Sequence, residues 1–245
     1  MARPRAHLSH APIAEAVIDF RVLRRDDIVV DEFSRLRRVV GSQYDEGVLM
    51  QSIQARFGVD QGKPISPTQV QSAVGWMYKS EGAVAQFRTD GFTFSKLEPY
   101  TTWEQVFGEA QRLWKIYLQV ARPRETKRLA VRYINRLRVP RPADLREYLE
   151  APPVLPSPIP SAIREFLTRV VVLDSVRDAS AILIQALEPS PDPTTIQILL
   201  DIDAFREVAL APEDSSLSEI FERLRALKND VFFASLTEKT VEMYE

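Results

Sequence analysis

Residues 127–140 read KRLAVRYINRLRVP. In a strand, successive side chains point to opposite faces. One face here carries Arg128, Arg132, Arg136 and Arg138, with Ala130 and Ile134 among them. The other carries Leu129, Val131, Tyr133, Leu137 and Val139, with Asn135 interrupting. This alternation predicts a long strand with one covered and one charged face, ended by Pro140.

Similar alternation recurs on both sides of that strand. In AEAVIDFRV, Ala14, Ala16, Ile18, Phe20 and Val22 share one face, while Glu15, Asp19 and Arg21 share the other. GVLMQSIQARF, the segment Ala73–Tyr78, IREFLTRVVVLD, ASAILIQALE and TIQILLDIDAF also read as strands, rich in β-branched and aromatic residues. DQGKPISP reads as a turn or short loop. GAVAQFRTDGFTFSKL is either one bent strand or a hairpin turning at Asp90–Gly91.

Three stretches change period. From Val29 to Val40, Phe33, Leu36 and Val40 fall on a helical stripe, with Gly41 as its stop. PYTTWEQVFGEAQRLWKIYLQV predicts a helix capped by Thr101 or Thr102, with Glu104 or Gln105 as the capping-box partner. SLSEIFERLRALKNDVFFASLT predicts another, capped by Ser216 or Ser218, with Leu217, Ile220, Leu224, Leu227 and Val231 on one stripe. ADLREYLE reads as a short helix.

The predicted order is βαβββαβ, a short helix, then βββα. No parallel βαβ repeat is evident, which argues against a doubly wound fold or a parallel barrel. The expectation is an α+β fold: mixed to largely antiparallel sheets faced by two long amphipathic helices. APPVLPSPIP, with five prolines in ten residues, is the best boundary candidate. It divides a basic 1–150 half from a proline-rich crossover and acidic 151–245 half, which can equally form one compact unit. No sequence periodicity establishes a duplication.

Composition narrows the chemistry. The 245 residues include no cysteine, which excludes disulfides, thiolate catalysis and sulfur-ligated zinc. The two histidines, His7 and His10, lie in the predicted N-terminal tail, so a histidine-based triad or metal site inside the fold is not expected. No apolar run reaches the length of a membrane span and no signal-peptide core follows the basic start, so the expectation is a cytoplasmic protein. The formal charge of −2 is uneven. Residues 1–141 hold 23 basic and 15 acidic side chains; residues 142–245 hold 9 and 19. The halves either attract each other, within or between molecules, or leave a basic face for anions.

No nucleotide-binding loop, nucleophile elbow or zinc-protease motif is present. Three weaker constellations remain. Arg128, Arg132, Arg136 and Arg138 align guanidiniums that suit phosphate or a nucleic-acid backbone, or that pair with carboxylates elsewhere in the chain. Tyr133 projects from the opposite face, so base stacking is not expected beside them. Asp201 and Asp203 place two carboxylates on one face of a strand end, where they could meet magnesium or simply face water. Glu15 and Asp19, with Arg21 beside them, resemble the opening strand of tunnel enzymes that hydrolyse or cyclise triphosphate-containing substrates in an antiparallel barrel. The middle acidic position is Val17 here, and the final basic residue is not lysine.

Several motifs together resemble a sporadically distributed family of bacterial proteins of about this length. They are APIAEAVIDFRV, AQFRTDGFTFSKLEPYTTWEQVFGEAQRLWKIY, VRYINRLRVP, LLDIDAF and LKNDVFFASLTE. The matching positions include Pro12, Glu15, Trp103, Trp114, Arg132, Tyr133, Asn135 and Arg136. The sequence departs in beginning its first motif Ala-Pro-Ile, where relatives have Asn-Pro-Pro. The resemblance favours one compact architecture and assigns no catalytic role.

These readings lead to a non-catalytic binding or regulatory protein acting through a protein partner or self-association, with phosphate or polyanion binding by the arginine row. No cofactor is expected. The alternative is a metal-dependent phosphohydrolase or cyclase-like enzyme, using Glu15, Asp19 and magnesium on a triphosphate-containing substrate.

Overall fold

The computed structural model describes residues 8–45, 47–60, 63–141, 144–156 and 163–245, the backbone alone for 54–60 and 63–70. Nine strands form one open antiparallel sheet: β1 Ile13–Leu23, β2 Val48–Asp60, β3 Lys63–Ser80, β4 Ala83–Arg88, β5 Gly91–Leu97, β6 Glu125–Pro140, β7 Leu167–Asp174, β8 Ala179–Glu188 and β9 Thr195–Leu210. Their spatial order is β2-β3-β4-β5-β1-β6-β9-β8-β7. A 3₁₀ segment, Val30–Leu36, leads into the one-turn helix α1, Arg37–Val40; the long helices are α2, Trp103–Ala121, and α3, Leu217–Ser235, and Glu238–Glu242 forms α4. The α+β expectation and its antiparallel sheet are as observed. ADLREYLE contributes only a 3₁₀ turn at Leu145–Glu147.

The decisive strand, β6, lies beside β1 at the centre of the sheet. β1 pairs on its other side with β5, the last strand before α2. β6 pairs on its other side with β9, the last strand before α3. The two halves of the chain therefore repeat one plan: a strand, a helical turn, a meander returning beside the first strand, then a helix. Continuous hydrogen bonding from β5 through β1 and β6 to β9 joins the halves in one sheet.

Both long helices cover the same side. Trp114 of α2 stacks on Phe20 of β1 with ring centroids 4.2 Å apart, and Phe221 of α3 packs on the same Phe20 at 4.9 Å. Ala16, Ile18 and Phe20 of β1, Phe92 and Phe94 of β5, and Leu129 and Val131 of β6 complete this buried layer. A second cluster joins Leu137, Val139, Ile198, Leu200 and Ile202 to Phe232, with Leu145, Tyr148 and Leu149. These are the apolar faces that alternation identifies.

Local chemistry sets the element ends. Thr102 caps α2, its hydroxyl accepting from the Gln105 backbone N–H. Ser216 occupies the N-cap of α3 without a side-chain cap, because its hydroxyl donates to Asp214 at 2.5 Å. Gly41 ends α1 with φ +119°, a conformation open to glycine. The Asp90–Gly91 hairpin is realised between β4 and β5.

Two boundaries differ from the sequence reading. The expected loop DQGKPISP is mostly strand: β3 begins at Lys63, and Pro64 lies opposite Val59 of β2. β4 pairs with β3 only from Gly75 onward, so Pro64 sits where β3 has a neighbour on one side and its missing donor is tolerated. β9 runs on to Leu210, so Asp201 and Asp203 stand in mid-strand and not at a strand end.

Candidate functional site

The side of the sheet away from the helices gathers nearly all the charged residues singled out in the sequence. β1 offers Glu15, Asp19 and Arg21; β6 offers Arg128, Arg132, Arg136 and Arg138; β9 offers Asp201 and Asp203. Register fixes this: Asp19 is opposite Ala130 of β6, and Arg132 is opposite Asp203 of β9.

Ion pairs bind the cluster together diagonally. Arg132 grips Asp201 with two hydrogen bonds, Nε–Oδ1 at 2.8 Å and Nη2–Oδ2 at 2.6 Å. Arg128 Nη2 donates to Asp203 Oδ2 at 2.8 Å, and its guanidinium lies 4.4 Å from the centroid of Phe205. Arg136 reaches past β9 to Glu188 of β8 at 2.9 Å, where Gln197 also donates at 2.7 Å. Among the described residues, Arg138 forms no ion pair; its backbone N–H donates to the Tyr244 hydroxyl. The expected four-arginine anion row is thus three paired arginines and one without a carboxylate. The carboxylates that meet Arg128, Arg132 and Arg136 come mainly from the 142–245 half, with Asp19 also 3.6 Å from Arg128.

A neighbouring network encloses Asp19. The residue is 8% exposed, and its carboxylate accepts from Thr93 at 2.5 Å, Arg21 at 3.1 Å and Arg88 at 3.3 Å. Arg88 is equally buried and also donates to Thr93, Gln86 and Asp90. Charges withdrawn from water in this way must be paired or hydrogen-bonded. Arg88, Thr93 and Glu188 are absent from the sequence-level candidates. Their alternation puts them on the charged face, but only the strand order brings them beside Asp19 and Arg136.

Burial pushes the Asp203 carboxyl above its ordinary range, opposed by Arg128. Asp203 Oδ1 is buried and has no hydrogen-bond partner among the described residues. The hydrogen bonds it donates to Asp201 raise the Arg132 guanidinium, holding it firmly charged. Among the described residues, no group of three or more potential metal ligands converges. Asp201 and Asp203, considered as magnesium ligands, each face an arginine. The barrel implied by the likeness to tunnel enzymes is not formed: the sheet is open, with β2 and β7 at its ends.

The edge strand β7 differs from this charged centre. Its sequence is LTRVVVLD, and Leu167, Val170, Val171, Val172 and Leu173 are all exposed, from 39% to 76%. Val170 pairs with Leu183 and Val172 with Ala181, on the helix-covered side; Leu167, Val171 and Leu173 point to the other. β7 is therefore apolar on both faces, and among the described residues no strand adjoins its outer edge. The sequence shows a β-branched run but not that the run lies at an edge.

Among the described residues, no helix is long and apolar enough to cross a membrane. No protein-family model matches the chain, and no curated protein matches it.

Proposed function

We propose that the protein is a non-catalytic binding component that works as a self-associated pair, joined edge to edge through β7. The observation that carries this reading is the doubly apolar edge of β7, which no strand pairs among the described residues. An edge strand presents free backbone donors and acceptors to any extended partner, and natural proteins usually blunt such edges with charge, proline or a bulge. β7 has Arg169 as its only internal charge.

A second copy fits the edge by symmetry. A two-fold axis perpendicular to the sheet keeps every residue on its own face, so opposed residues differ by an even number. Val171 can then face its own copy, with Val170 opposite Val172 and Arg169 opposite Leu173. No like charges meet. Covering the five apolar side chains contributes on the order of 5 kcal/mol before the cost of association, and strand pairing adds backbone hydrogen bonds.

Light scattering coupled to size exclusion, over a concentration series, tests this. The wild type should run as a dimer. Val171→Lys, which sets two lysines face to face across the axis, should run as a monomer that still unfolds cooperatively, with a melting temperature no longer dependent on concentration. A wild type that stays monomeric throughout, or a Val171→Lys variant that remains dimeric, refutes the pairing. Magnesium-dependent release of phosphate from a nucleoside triphosphate, abolished by Glu15→Gln, would instead support the enzymatic alternative.

A further inference from the structure

β2 and β3 run on past the rest of the sheet. β4 joins β3 only from Gly75 to Ser80, whereas β2 pairs with β3 from Val48–Met77 out to Asp60–Lys63. Beyond the register shift between Met50 and Gln51 the two strands form a ribbon with no third strand among the described residues. At ~3.3 Å per residue, the stretch of β2 from Gln51 to Asp60 is about 30 Å long. A two-stranded ribbon alone is marginally stable in water, so one of this length is suited to lying against a partner.

Composition and register indicate the kind of partner. Residues 51–73 hold five of the chain's twelve glutamines and two basic residues, Arg56 and Lys63, but only one of its 34 acidic residues, Asp60. Pairing sets Gln51 opposite Ala73 and Ile53 opposite Gln71, on the face that continues from Leu49 and Trp76. All four are exposed, Ile53 at 60%. A face built to dock protein carries an apolar centre; here glutamines alternate with small or branched apolar residues. A glutamine amide offers a donor and an acceptor side by side, which matches the major-groove edge of adenine, and apolar side chains meet the thymine methyl group. Two strands ~4.8 Å apart also fit the major groove, which is ~12 Å wide and admits a β-ribbon.

Cations stand on the same side. The Tyr78 hydroxyl of β3 donates to the Phe33 carbonyl oxygen at 2.5 Å, which holds the 3₁₀ segment Val30–Leu36 and the following α1 against the foot of the ribbon. Phe33 also stacks on Tyr117 of α2, so these turns lie on the helix-covered side, as Trp76 does. Arg35 and Arg38 in them are exposed, and among the described residues neither forms an ion pair. Unlike Arg132 of β6, they can take a phosphate without displacing a carboxylate.

We propose that the β2–β3 ribbon enters the major groove of double-stranded DNA and prefers A·T pairs. Gln51 and Gln71 serve adenine, Ile53 and Ala73 meet thymine methyl groups, and Arg35 and Arg38 hold phosphates. An RNA duplex does not fit, because its deep, narrow major groove is closed to side chains. The site is separate from β7 and does not depend on self-association.

The probes are fluorescein-labelled duplexes of about 20 bp, two helical turns, titrated with the full-length protein at about 50 and 200 mM salt and read by anisotropy. One contains mixed A·T steps, the second is the same duplex with 7-deazaadenine in place of adenine, and the third contains G·C pairs. The deaza base lacks the N7 acceptor in the major groove and leaves the minor groove unchanged, so it tests the groove without altering the protein. The A·T duplex should bind about tenfold more tightly than the G·C duplex, and the deaza duplex should lose that preference. Replacing Gln51→Ala and Gln71→Ala together should bring all three to one weaker affinity. Replacing Arg35→Ala and Arg38→Ala together should weaken all three alike and lower the salt slope by about two. Equal affinity for the A·T and G·C duplexes, or an A·T preference that survives the deaza base, overturns the assignment. So does the absence of binding to any duplex up to about 100 μM protein at the lower salt, the result expected if the ribbon docks a polypeptide instead.

Discussion

Removing the clasp between Arg132 and Asp201 should destabilise the protein unequally from its two ends. The Asp201 side chain is 7% exposed and the Arg132 side chain 45%. A hydrogen bond between charged groups contributes about 1.5–3 kcal/mol net, and two join this pair. The exposed arginine is screened by water, which lowers that sum by roughly half, to a coupling of ~2 kcal/mol. Arg132→Leu strands a buried carboxylate and should cost ~3 kcal/mol. Asp201→Leu leaves a guanidinium that can turn to water, and should cost ~1–2 kcal/mol. The double variant should cost less than the sum of the two. For a chain of this size, 1 kcal/mol moves the melting temperature by about 2–4 °C, so calorimetry or thermal circular dichroism resolves every corner of the cycle. Additive costs, within ~0.5 kcal/mol, would refute the clasp. So would a larger loss from Asp201→Leu than from Arg132→Leu, because the more buried partner is the costlier one to strand.

Two glycines should respond in opposite directions. A Cβ at Gly91 would lie 2.2 Å from the Phe20 carbonyl oxygen, whereas one at Gly108 in α2 meets nothing within 4 Å. Gly91→Ala should therefore lose about 2 kcal/mol or more through backbone displacement, and Gly108→Ala should gain about 0.5–1 kcal/mol of helix stability; urea denaturation measures both. Asp203 should leave a mark on the pH dependence of stability. Its raised carboxyl holds a proton more tightly in the folded than in the unfolded chain, so its contribution is present at low pH and lost as pH rises from the ordinary carboxylate value through the raised one. Relative to Asp203→Asn, the wild type should lose stability across that interval; a relative gain would contradict the burial argument.

Local pattern carried most of the fold. Alternation in 127–140 identified the covered and charged faces of β6, and Gly41 and Thr102 marked helix ends through chemistry legible in a few residues. Strand order was not legible, because alternation says which side of a sheet a residue faces but not which strand lies next to it. The same limit explains the candidate site. Arg132 and Asp201 were both conspicuous, yet 69 positions separate them, and only the antiparallel pairing of β6 with β9 makes them partners. Asp201 and Asp203 looked like a strand end because β9 continues through FREVAL, a stretch without clean alternation. The valines of β7 are legible as a strand, but an edge is a property of the whole sheet. The repeated plan of the two halves was hidden for a related reason: it lies in the pairing of first and last strands, and no residue pattern has to repeat for it to form.

The charge asymmetry between the halves acquires a physical meaning from this arrangement. A polyanion is drawn to a surface whose summed potential is positive over a wide area. On the uncovered face, Arg21, Arg88, Arg128, Arg132 and Arg136 are met by Asp19, Asp90, Asp201, Asp203 and Glu188. Positive and negative groups alternate over distances shorter than the ~8–10 Å screening length at ordinary ionic strength, so their fields cancel a short way into solvent. A phosphate approaching Arg132 or Arg136 must also displace a carboxylate already in place, whereas among the described residues no strand stands on the outer edge of β7. Carboxylates of β8 and β9 thus meet three of the four arginines of β6 from within the sheet. This difference favours β7 over the arginine row as the place to test the proposed pairing.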